Sequence, residues 1–318
     1  MTALCLVSDV GGTNTRVGLA EAGIVRTDTV SRFRNAEHDG LASIYTAYLA
    51  GRGNPDCAGA CIAMAGPVLD GTGRLTNRGW TFDRDELSAA TGAPLTAILN
   101  DLQAQGHAVA ALPPESLHEV VAGPAGEDHS AKLVVGVGTG FNAVPVFRTE
   151  TGRYVPPCEA GHATFPVLSD EDHSLAHFVE RHHGFPGIED VLSGRGLERV
   201  HAWASGGGGS PLSSTEIMAD IARGEDPVAI RTADAFCRAL GRVAGDLSLI
   251  HLPFGGVYLI GGMANAMRPH LVRHGFTEAF RAKGRFSGFM EQFAVWMVED
   301  DYAALIGCAR HIDGLLKL

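Results

Sequence analysis

Positive charge, aromatic residues and long apolar runs are all scarce in this chain. Its 318 residues include 25 lysines and arginines against 36 aspartates and glutamates, so the formal net charge is −11. A net-acidic chain predicts no general affinity for nucleic acid or for an anionic membrane surface. No stretch approaches the roughly 18 apolar residues of a membrane span, and the first twelve residues lack the basic start of a secretory signal. We therefore expect a cytoplasmic protein that binds neither nucleic acid nor membranes.

Cysteine pairs of the C-x-x-C type are missing as well. Cys57 and Cys61 are separated by three residues, and no second pair completes a four-ligand zinc site. Free thiols in a reducing compartment are therefore expected. Four histidines lie close together in the sequence, and we expect solvated side chains there rather than a metal site: His173, His177, His182 and His183.

Hydrophobic residues are abundant, at 45% of the chain, which is enough to build substantial cores. At about 150 residues per domain, this length predicts two domains. The boundary is predicted near residue 112, because Pro113-Pro114 ends a helix and a turn-rich stretch follows over 121–131.

The apolar pattern predicts an α/β organisation. Strands are predicted over 3–8, 15–20, 24–33, 61–65, 95–99, 133–137, 143–148 and 256–260. Helices are predicted over 40–50, 102–112, 231–252 and 302–316, with another opening at Gly261-Gly262. The SGGGGS stretch over 205–210 is expected to be a surface loop. Each half of the chain opens with a strand, a glycine turn and a second strand, and two such turns could clamp a polyphosphate.

The first of these turns reads Asp9-Val10-Gly11-Gly12-Thr13-Asn14. Glycines let main-chain N–H groups approach phosphate oxygens, and the side chains of Thr13 and Asn14 can add donors. Asp9 could hold Mg²⁺ through water, since this ion keeps several of its waters. The lysine of a Walker A loop and the G-x-G-x-x-G fingerprint are both missing from this turn. The alternative is a plain hairpin with a surface aspartate.

A series of motifs in chain order resembles those of the bacterial glucokinases, in the sugar kinase/actin/Hsp70 superfamily. The octapeptide over 9–16, DVGGTNTR, resembles the first phosphate loop of that family. The other matching segments are CIAMAGP over 61–67, TNRGWTF over 76–82, Asn100-Asp101, Gly138-Thr139-Gly140, EAGH over 159–162, EDVLSG over 189–194, Phe254-Gly255-Gly256, Gly261-Gly262 and KGRF over 283–286. So many matches in one order are specific. The cysteine cluster of the related zinc-containing repressor/kinase branch is absent from the sequence.

The resemblance implies a two-domain actin-like ATPase fold (ribonuclease H-like) with a central nucleotide/sugar cleft. Residues 1–112 plus 301–318 would form the small domain and residues 113–300 the large one. It also implies an enzyme that phosphorylates D-glucose at its 6-hydroxyl with ATP and Mg²⁺, and that forms a homodimer. Closure of the domains on the sugar would exclude water and limit ATP hydrolysis.

The resemblance further implies a role for individual residues. Asp101 would be the general base. The sugar would be bound by Asn77, Asn100, Asp101, Glu159, His162 and Glu189. ATP would be bound by Asp9, Gly11, Gly12, Thr13, Asn14, Gly138, Thr139, Gly140, Gly261 and Gly262, with Mg²⁺ at Asp9.

Other interpretations of the same residues stay open. Asn100-Asp101 could cap the helix that follows, and capping is compatible with catalysis by a different atom. Gly261-Gly262 could serve close strand–helix packing. Glu159 and His162 could belong to a metal site, although no third ligand is evident.

Three places depart from the family pattern. Phe141-Asn142 stands where the family has Leu-Gly, Cys158 and Ala160 stand where it has glycines, and Leu102-Gln103 replaces Phe-Thr. These changes concern substrate preference and rate more than reaction type. The alternatives to a glucokinase are a kinase for another hexose, a catalytically weak sugar-binding homologue and an actin-like nucleotide switch.

Overall fold

The computed structural model describes residues 3–75, 78–150, 152–208 and 210–318. Its strands are β1 (Leu4–Val10), β2 (Asn14–Glu21), β3 (Ile24–Arg34), β4 (Gly59–Met64), β5 (Val68–Leu69), β6 (Thr72–Leu75), β7 (Trp80–Asp83), β8 (Leu95–Asn100), β9 (Leu117–Val121), β10 (Lys132–Val137), β11 (Phe141–Thr149), β12 (Gly152–Tyr154), β13 (Val257–Ile260) and β14 (Val295–Val298). Its helices are α1 (Leu41–Ala50), α2 (Arg84–Thr91), α3 (Asp101–Ala108), α4 (Asp170–His183), α5 (Ile188–Val191), α6 (Gly194–Ala204), α7 (Ser214–Arg223), α8 (Pro227–His251), α9 (Gly262–Met267), α10 (Phe276–Arg281) and α11 (Ala303–Leu315).

The first compact unit comprises Met1–Pro113, Val146–Pro157 and Asp300–Leu318. Its five-stranded sheet has the order β3-β2-β1-β4-β8, with β1 antiparallel to β2 and parallel to β4. Alternate residues of β1 enter two different cores, because successive side chains of a strand point to opposite faces. Leu6 lies in the core that contains α1, and Val7 lies in the core that contains α11. The sheet is therefore covered on both faces. The predicted site residues Asp9 and Asn100 lie at the carboxyl ends of β1 and β8.

The second compact unit comprises Pro114–Pro145 and Cys158–Glu299. Strands β10, β13 and β14 are parallel, and β9 pairs antiparallel with β14 at one edge. The core of this unit is built around α8, which begins at Pro227 after the N-cap Asp226. Among the apolar residues at helical spacing along α8, Phe236, Leu240 and Val243 are buried, whereas Ile250 is 69% exposed. No helix in the described ranges is both long enough and apolar enough to cross a membrane.

Every strand and helix predicted from the sequence is confirmed, with bounds shifted by a few residues. The two largest errors are equal: α8 begins at Pro227 rather than at 231, and α3 ends at Ala108 rather than at 112. A tight turn follows, in which the Ala111 N–H donates to the Ala108 carbonyl at 2.7 Å. Proline disfavours helical backbone in the residue before it, which explains why Leu112 is not helical. The small sheet of β5, β6 and β7 was not predicted, nor were β9, β12, β14, α2, α4, α5, α6, α7 and α10.

The segment Val146–Pro157 belongs to the first unit, although the sequence placed it in the large domain. It consists of the end of β11 and β12, which pair as an antiparallel hairpin. The hairpin packs on α3: Gln103 Nε2 donates to the Val155 carbonyl at 3.0 Å, and a Cβ on Gly106 would lie 2.8 Å from Val155. The sequence could not show this, because β11 continues as one apolar run across the boundary.

Candidate active site

The first glycine turn joins β1 to β2 in the first unit. The Gly11 N–H donates to the Asn14 carbonyl at 3.0 Å, which closes the turn. Thr13 is exposed at its tip, and Gly11, Gly12 and Asn14 are half-buried. The predicted phosphate-binding residues of this loop therefore lie together at the end of a buried strand.

Asn35 holds this loop in place, and sequence reasoning missed it. Its side chain is fully buried. Asn35 Nδ2 donates to the Gly11 carbonyl at 2.8 Å and to the Gly12 carbonyl at 3.3 Å, and its main-chain N–H donates to the Thr13 carbonyl at 3.0 Å. Its Oδ1 accepts from the Thr15 hydroxyl at 2.8 Å. One side chain thus fixes the path of the turn.

Arg78 also contacts the loop, since its Nε donates to the Gly12 carbonyl at 3.1 Å. Its guanidinium lies 5.6 Å from the ring centroid of Trp80, close enough for a cation–π contact. Arg78 and Asn35 both engage carbonyl oxygens of the turn. Asn77, a predicted sugar-binding residue, lies outside the described residues, as does Thr76.

Asp9 is half-buried near the end of β1, opposite Arg16 on β2. Burial raises the pKa of its carboxyl group, and the positive charge of Arg16 opposes that rise. A desolvated carboxylate is stabilised by a nearby cation. Across the described ranges, no three or more His, Cys, Asp or Glu side chains are grouped so as to hold a metal. The clustered histidines lie on α4.

Asn100 and Asp101 lie where β8 ends and α3 begins. Asn100 is the N-cap of α3: its Oδ1 accepts from the Leu102 N–H at 2.9 Å, while Gln103 Oε1 accepts from the Asn100 N–H at 3.1 Å. Asn100 Nδ2 also donates to the Gly66 carbonyl at 3.0 Å. The capping interpretation of Asn100 is therefore confirmed, and Gln103, one of the departures from the family, closes the capping box.

Asp101 is the first residue of α3 and is half-buried. Its Oδ1 accepts from the Leu102 N–H at 2.8 Å. A carboxylate in the first turn of a helix is stabilised in its charged form by the helix dipole. The fold thus holds this carboxylate beside Asn100 at the carboxyl end of a parallel strand.

The second glycine turn, Gly138–Gly140, joins β10 to β11 in the second unit. The Gly138 N–H donates to the Gly140 carbonyl at 2.9 Å, and Thr139 is exposed at the tip. The Gly194 N–H, at the start of α6, donates to the Gly138 carbonyl at 2.8 Å. A Cβ on Gly140 would lie 2.5 Å from Glu189 Oε2, so no larger residue fits there without displacing that carboxylate.

Glu159, His162 and Glu189 are brought together beside this turn. Glu159 precedes the one-turn 3-10 helix Ala160–His162, and His162 is its last residue. Both side chains are exposed, and His162 Nε2 lies 4.0 Å from Glu159 Oε2. Glu189 Oε2 accepts from the Phe141 N–H at 2.9 Å. Gly161 packs against both, since its Cβ would lie 2.2 Å from the Phe141 carbonyl and 3.3 Å from Glu189 Cβ. The cluster offers two carboxylates and an imidazole beside the second glycine turn.

Gly261 and Gly262 lie between β13 and α9. Gly261 has φ +110°, and a Cβ there would lie 2.5 Å from the Val137 carbonyl of β10. Glycine is required here because the two backbones approach closely. This agrees with the strand–helix packing interpretation of Gly261-Gly262. Gly262 opens α9 with no atom within 4 Å of its would-be Cβ, so the space above it is open.

Comparison with known proteins agrees with this arrangement. The model of the family "Glucokinase" matches residues 6–314. A glucokinase of Erwinia tasmaniensis is 30% identical over 98% of this chain and 98% of its own, and one of Marinobacter nauticus is 31% identical over 96% and 95%. The crystal structure of a glucokinase from an Antarctic psychrotroph is similar at a TM-score of 0.87 and 30% identity, covering 97% of this chain and 98% of that one.

The predicted actin-like ATPase fold is thereby confirmed. Two separate kinds of likeness, in sequence and in backbone, extend over nearly the whole length. The chain belongs to the glucokinase family, the ATP-dependent kinases of glucose.

Proposed function

We propose that this chain transfers the γ-phosphoryl group of ATP to the 6-hydroxyl of D-glucose, and that Asp101 accepts the proton of that hydroxyl. The observation that carries the proposal is that, at the start of α3, one residue caps the helix and the next places a carboxylate beside it. Asn100 and Gln103 supply the capping box, so the start of α3 is capped without relying on the adjacent carboxylate. Asp101 lies half-buried at the carboxyl end of β8, where the family motif has its base.

The chemistry requires such a group because a sugar hydroxyl is a weak nucleophile until its proton is removed. As the 6-oxygen bonds to the γ-phosphorus, the proton passes to the Asp101 carboxylate. The bond from that phosphorus to the oxygen it shares with the β-phosphate breaks, and ADP leaves with the electron pair. Asn100, bonded to Gly66 and Leu102, keeps the carboxylate at a fixed position.

Sugar recognition falls to Glu159, His162 and Glu189 in this proposal. Carboxylates accept strong, directional hydrogen bonds from hydroxyl groups, and Glu189 has a second oxygen besides the one bonded to Phe141. Asn77 and Asn100 are the further sugar contacts that the family motif indicates. A metal site at Glu159 and His162 has no support, because no third ligand joins them among the residues that the structure describes.

The two glycine turns are proposed to bind the phosphates of ATP, with Gly11, Gly12, Thr13 and Asn14 on one and Gly138, Thr139 and Gly140 on the other. Gly262 opens onto free space after a buried strand, which suits the adenosine end; Gly261 acts there through the backbone approach it permits. Asp9 fits Mg²⁺, since this ion is commonly bound by one or two carboxylates, waters and substrate phosphates. When bound with ATP, it would neutralise charge on the transferred phosphoryl group.

A sugar panel tests the activity directly. ADP release is measured from ATP and Mg²⁺ with glucose, mannose, fructose, N-acetylglucosamine or no sugar. We expect a signal with glucose well above the other sugars and above the background without sugar. A signal led by another sugar would retain the mechanism and change the substrate. Sugar-independent hydrolysis, or sugar binding without turnover, would contradict the proposal and favour a nucleotide switch or a sugar sensor.

Replacement of Asn35 tests the phosphate role of the first turn. Asn35→Ala removes the donors to the Gly11 and Gly12 carbonyls and leaves the buried Thr15 hydroxyl without its acceptor. An unsatisfied buried group costs about 1–3 kcal/mol, so the turn should lose its fixed path. We expect KM for ATP to rise about tenfold while KM for glucose changes less than twofold.

Glu37→Gln is the matched control, because Glu37 is exposed on the same one-turn helix, Asn35–Glu37. It should leave both KM values unchanged. An equal rise of both KM values in Asn35→Ala, together with a fall of the thermal midpoint, would mean that Asn35 supports the unit in general and not the phosphate turn.

Three expectations about partners and location complete the proposal. The family resemblance supports a homodimer. The net charge of −11 supports the absence of nucleic acid from its partners. The unpaired cysteines support a reducing, cytoplasmic location.

A further inference from the structure

The side chain of Asn142 brackets Glu159 in the second unit. Asn142 Nδ2 donates to the Cys158 carbonyl at 2.5 Å, and its Oδ1 accepts from the Ala160 N–H at 2.9 Å. The same Oδ1 accepts from the Ala143 N–H at 2.8 Å, which fixes the side chain to its own strand. The amide group of Asn142 therefore fixes the main chain of the residues immediately before and after Glu159.

We propose that Asn142 is a positioning residue for glucose recognition, which sets the main chain of Glu159 and ties it to the phosphate turn 138–140. The inference rests on the proposed function, because it assumes that Glu159 contacts the sugar. Asn142 itself touches no reacting atom. Its effect passes through Glu159.

Glu159 needs such support because of where it lies. It precedes the one-turn 3-10 helix Ala160–His162, with φ −133° and ψ 54°, and its side chain makes no capping bond to that helix. The side chain is 58% exposed. A mobile, exposed glutamate loses conformational freedom when a sugar orders it, and a backbone fixed in advance reduces that loss.

The residue before Asn142 supports the other acid. The Phe141 N–H donates to Glu189 Oε2 at 2.9 Å, and Gly161 lies against the Phe141 carbonyl. The first two residues of β11 thus contact the segments that bear the two proposed sugar-binding carboxylates. These two residues directly follow Gly140 of the phosphate turn. A displacement of β11 at this point would move both acids together.

Three departures from the family pattern lie next to one another around Glu159. The family has glycine at the positions of Asn142, Cys158 and Ala160, and glycines leave a loop flexible. Here Cys158 and Ala160 restrict the backbone on either side of Glu159. Asn142 adds bonds to main-chain groups of both, the Cys158 carbonyl and the Ala160 N–H.

The test compares Asn142→Ala, Glu159→Gln and the double variant. Glucose affinity is measured by titration calorimetry without nucleotide, and KM for ATP is measured separately. We expect Asn142→Ala to weaken glucose binding about tenfold, roughly the loss of one net hydrogen bond, with KM for ATP within twofold. The double variant should bind glucose within twofold of Glu159→Gln alone, because Asn142 acts only through that residue.

Two further variants keep the test decisive. Asn142→Asp is isosteric and keeps accepting from Ala160, while it can no longer donate to Cys158. Its carboxylate oxygen then faces the Cys158 carbonyl oxygen, so two acceptors repel where a hydrogen bond stood. We expect it to weaken glucose binding at least as much as Asn142→Ala. Thr149→Ala, at the exposed far end of β11, is the matched control and should leave affinity unchanged.

The outcomes separate this inference from the proposed function. If Glu159→Gln weakens glucose binding and the Asn142 variants do not, the positioning role is wrong and the sugar site stands. If the losses in the double variant multiply, Asn142 acts elsewhere, and the inference again fails. If Glu159→Gln leaves glucose affinity unchanged, the proposed sugar site itself is wrong.

Discussion

Replacing Asp101 with asparagine is expected to lower kcat by about 10²–10⁴-fold, the contribution typical of a general acid or base. The amide has nearly the shape of the carboxylate, and its oxygen can still accept from the Leu102 N–H. Glucose and ATP should therefore still bind, each with KM within a few-fold of the original. What is lost is the group that takes the proton from the attacking hydroxyl.

The same substitution separates the two interpretations of Asp101. If this residue only stabilises the start of α3, Asp101→Asn should lower the thermal midpoint slightly and leave kcat almost unchanged. If it is the base, the midpoint should hold and kcat should collapse. Steady-state ADP release and thermal unfolding on the same preparation distinguish the two.

Asp85→Asn supplies the matched control. Asp85 lies in the first turn of α2, is exposed, and belongs to the same unit. It makes the same change of charge at a helix N-terminus, so any effect of net charge or helix dipole appears in both variants. A kcat for Asp101→Asn within threefold of that for Asp85→Asn would rule out Asp101 as the base.

The glycine turns could be predicted from the sequence because each is a contiguous motif. At Gly11–Asn14 and at Gly138–Gly140 a buried strand ends in glycines, which permit a tight turn into the next strand. Asn100 could be predicted as a cap for the same reason, since the cap and its partner Gln103 are three residues apart. Features whose residues are all within a few positions of one another can be predicted from the sequence alone.

Asn35 could not be found in this way, because its contact with the turn depends on the register of a hairpin. Glu21 pairs with Ile24 and Leu19 with Arg26, so a regular hairpin would continue to pair Val17 with Asp28. An irregularity between Val17 and Leu19 shifts the register, and Val17 pairs with Ser31 instead. That shift alone brings Asn35 beside the turn.

The sequence identifies Asn142 as a departure from the family pattern but does not indicate what its side chain contacts. The sequence shows that an asparagine replaces a glycine, which indicates only a backbone that tolerates the change. Its partners, Cys158 and Ala160, are sixteen and eighteen residues away and across a strand boundary. Both partners are main-chain groups, so no side chain in the sequence could indicate the contact.

Replacing Gly307 with alanine is expected to cause the largest loss of stability of any substitution considered. Gly307 lies in α11 against α3, and a Cβ there would lie 1.6 Å from the Ala104 carbonyl oxygen. The obstacle is main chain, so no side-chain rotation can relieve it and the two helices must separate. Overpacking of a buried contact costs about 1–3 kcal/mol and occasionally more, and this contact belongs at the upper end.

The consequence should reach the active site, because α3 begins at Asp101. Helix α11 is also fixed on its other side, where a Cβ on Gly59 of β4 would lie 2.7 Å from Ile312. With α11 held against the sheet, α3 is the element that has to move. We therefore expect Gly307→Ala to lower the thermal midpoint by about 10 °C and to reduce kcat in whatever protein remains folded.

Gly288→Ala is the control for this substitution, since Gly288 has helical backbone angles and no atom within 4 Å of its would-be Cβ. It should keep kcat and leave the midpoint unchanged or slightly raised, because alanine restricts the unfolded chain more than glycine does. Thermal unfolding and turnover are measured for both variants side by side. A Gly307→Ala midpoint within 2 °C of the control would mean that the two helices have room to part, and that their contact does not hold Asp101 in place.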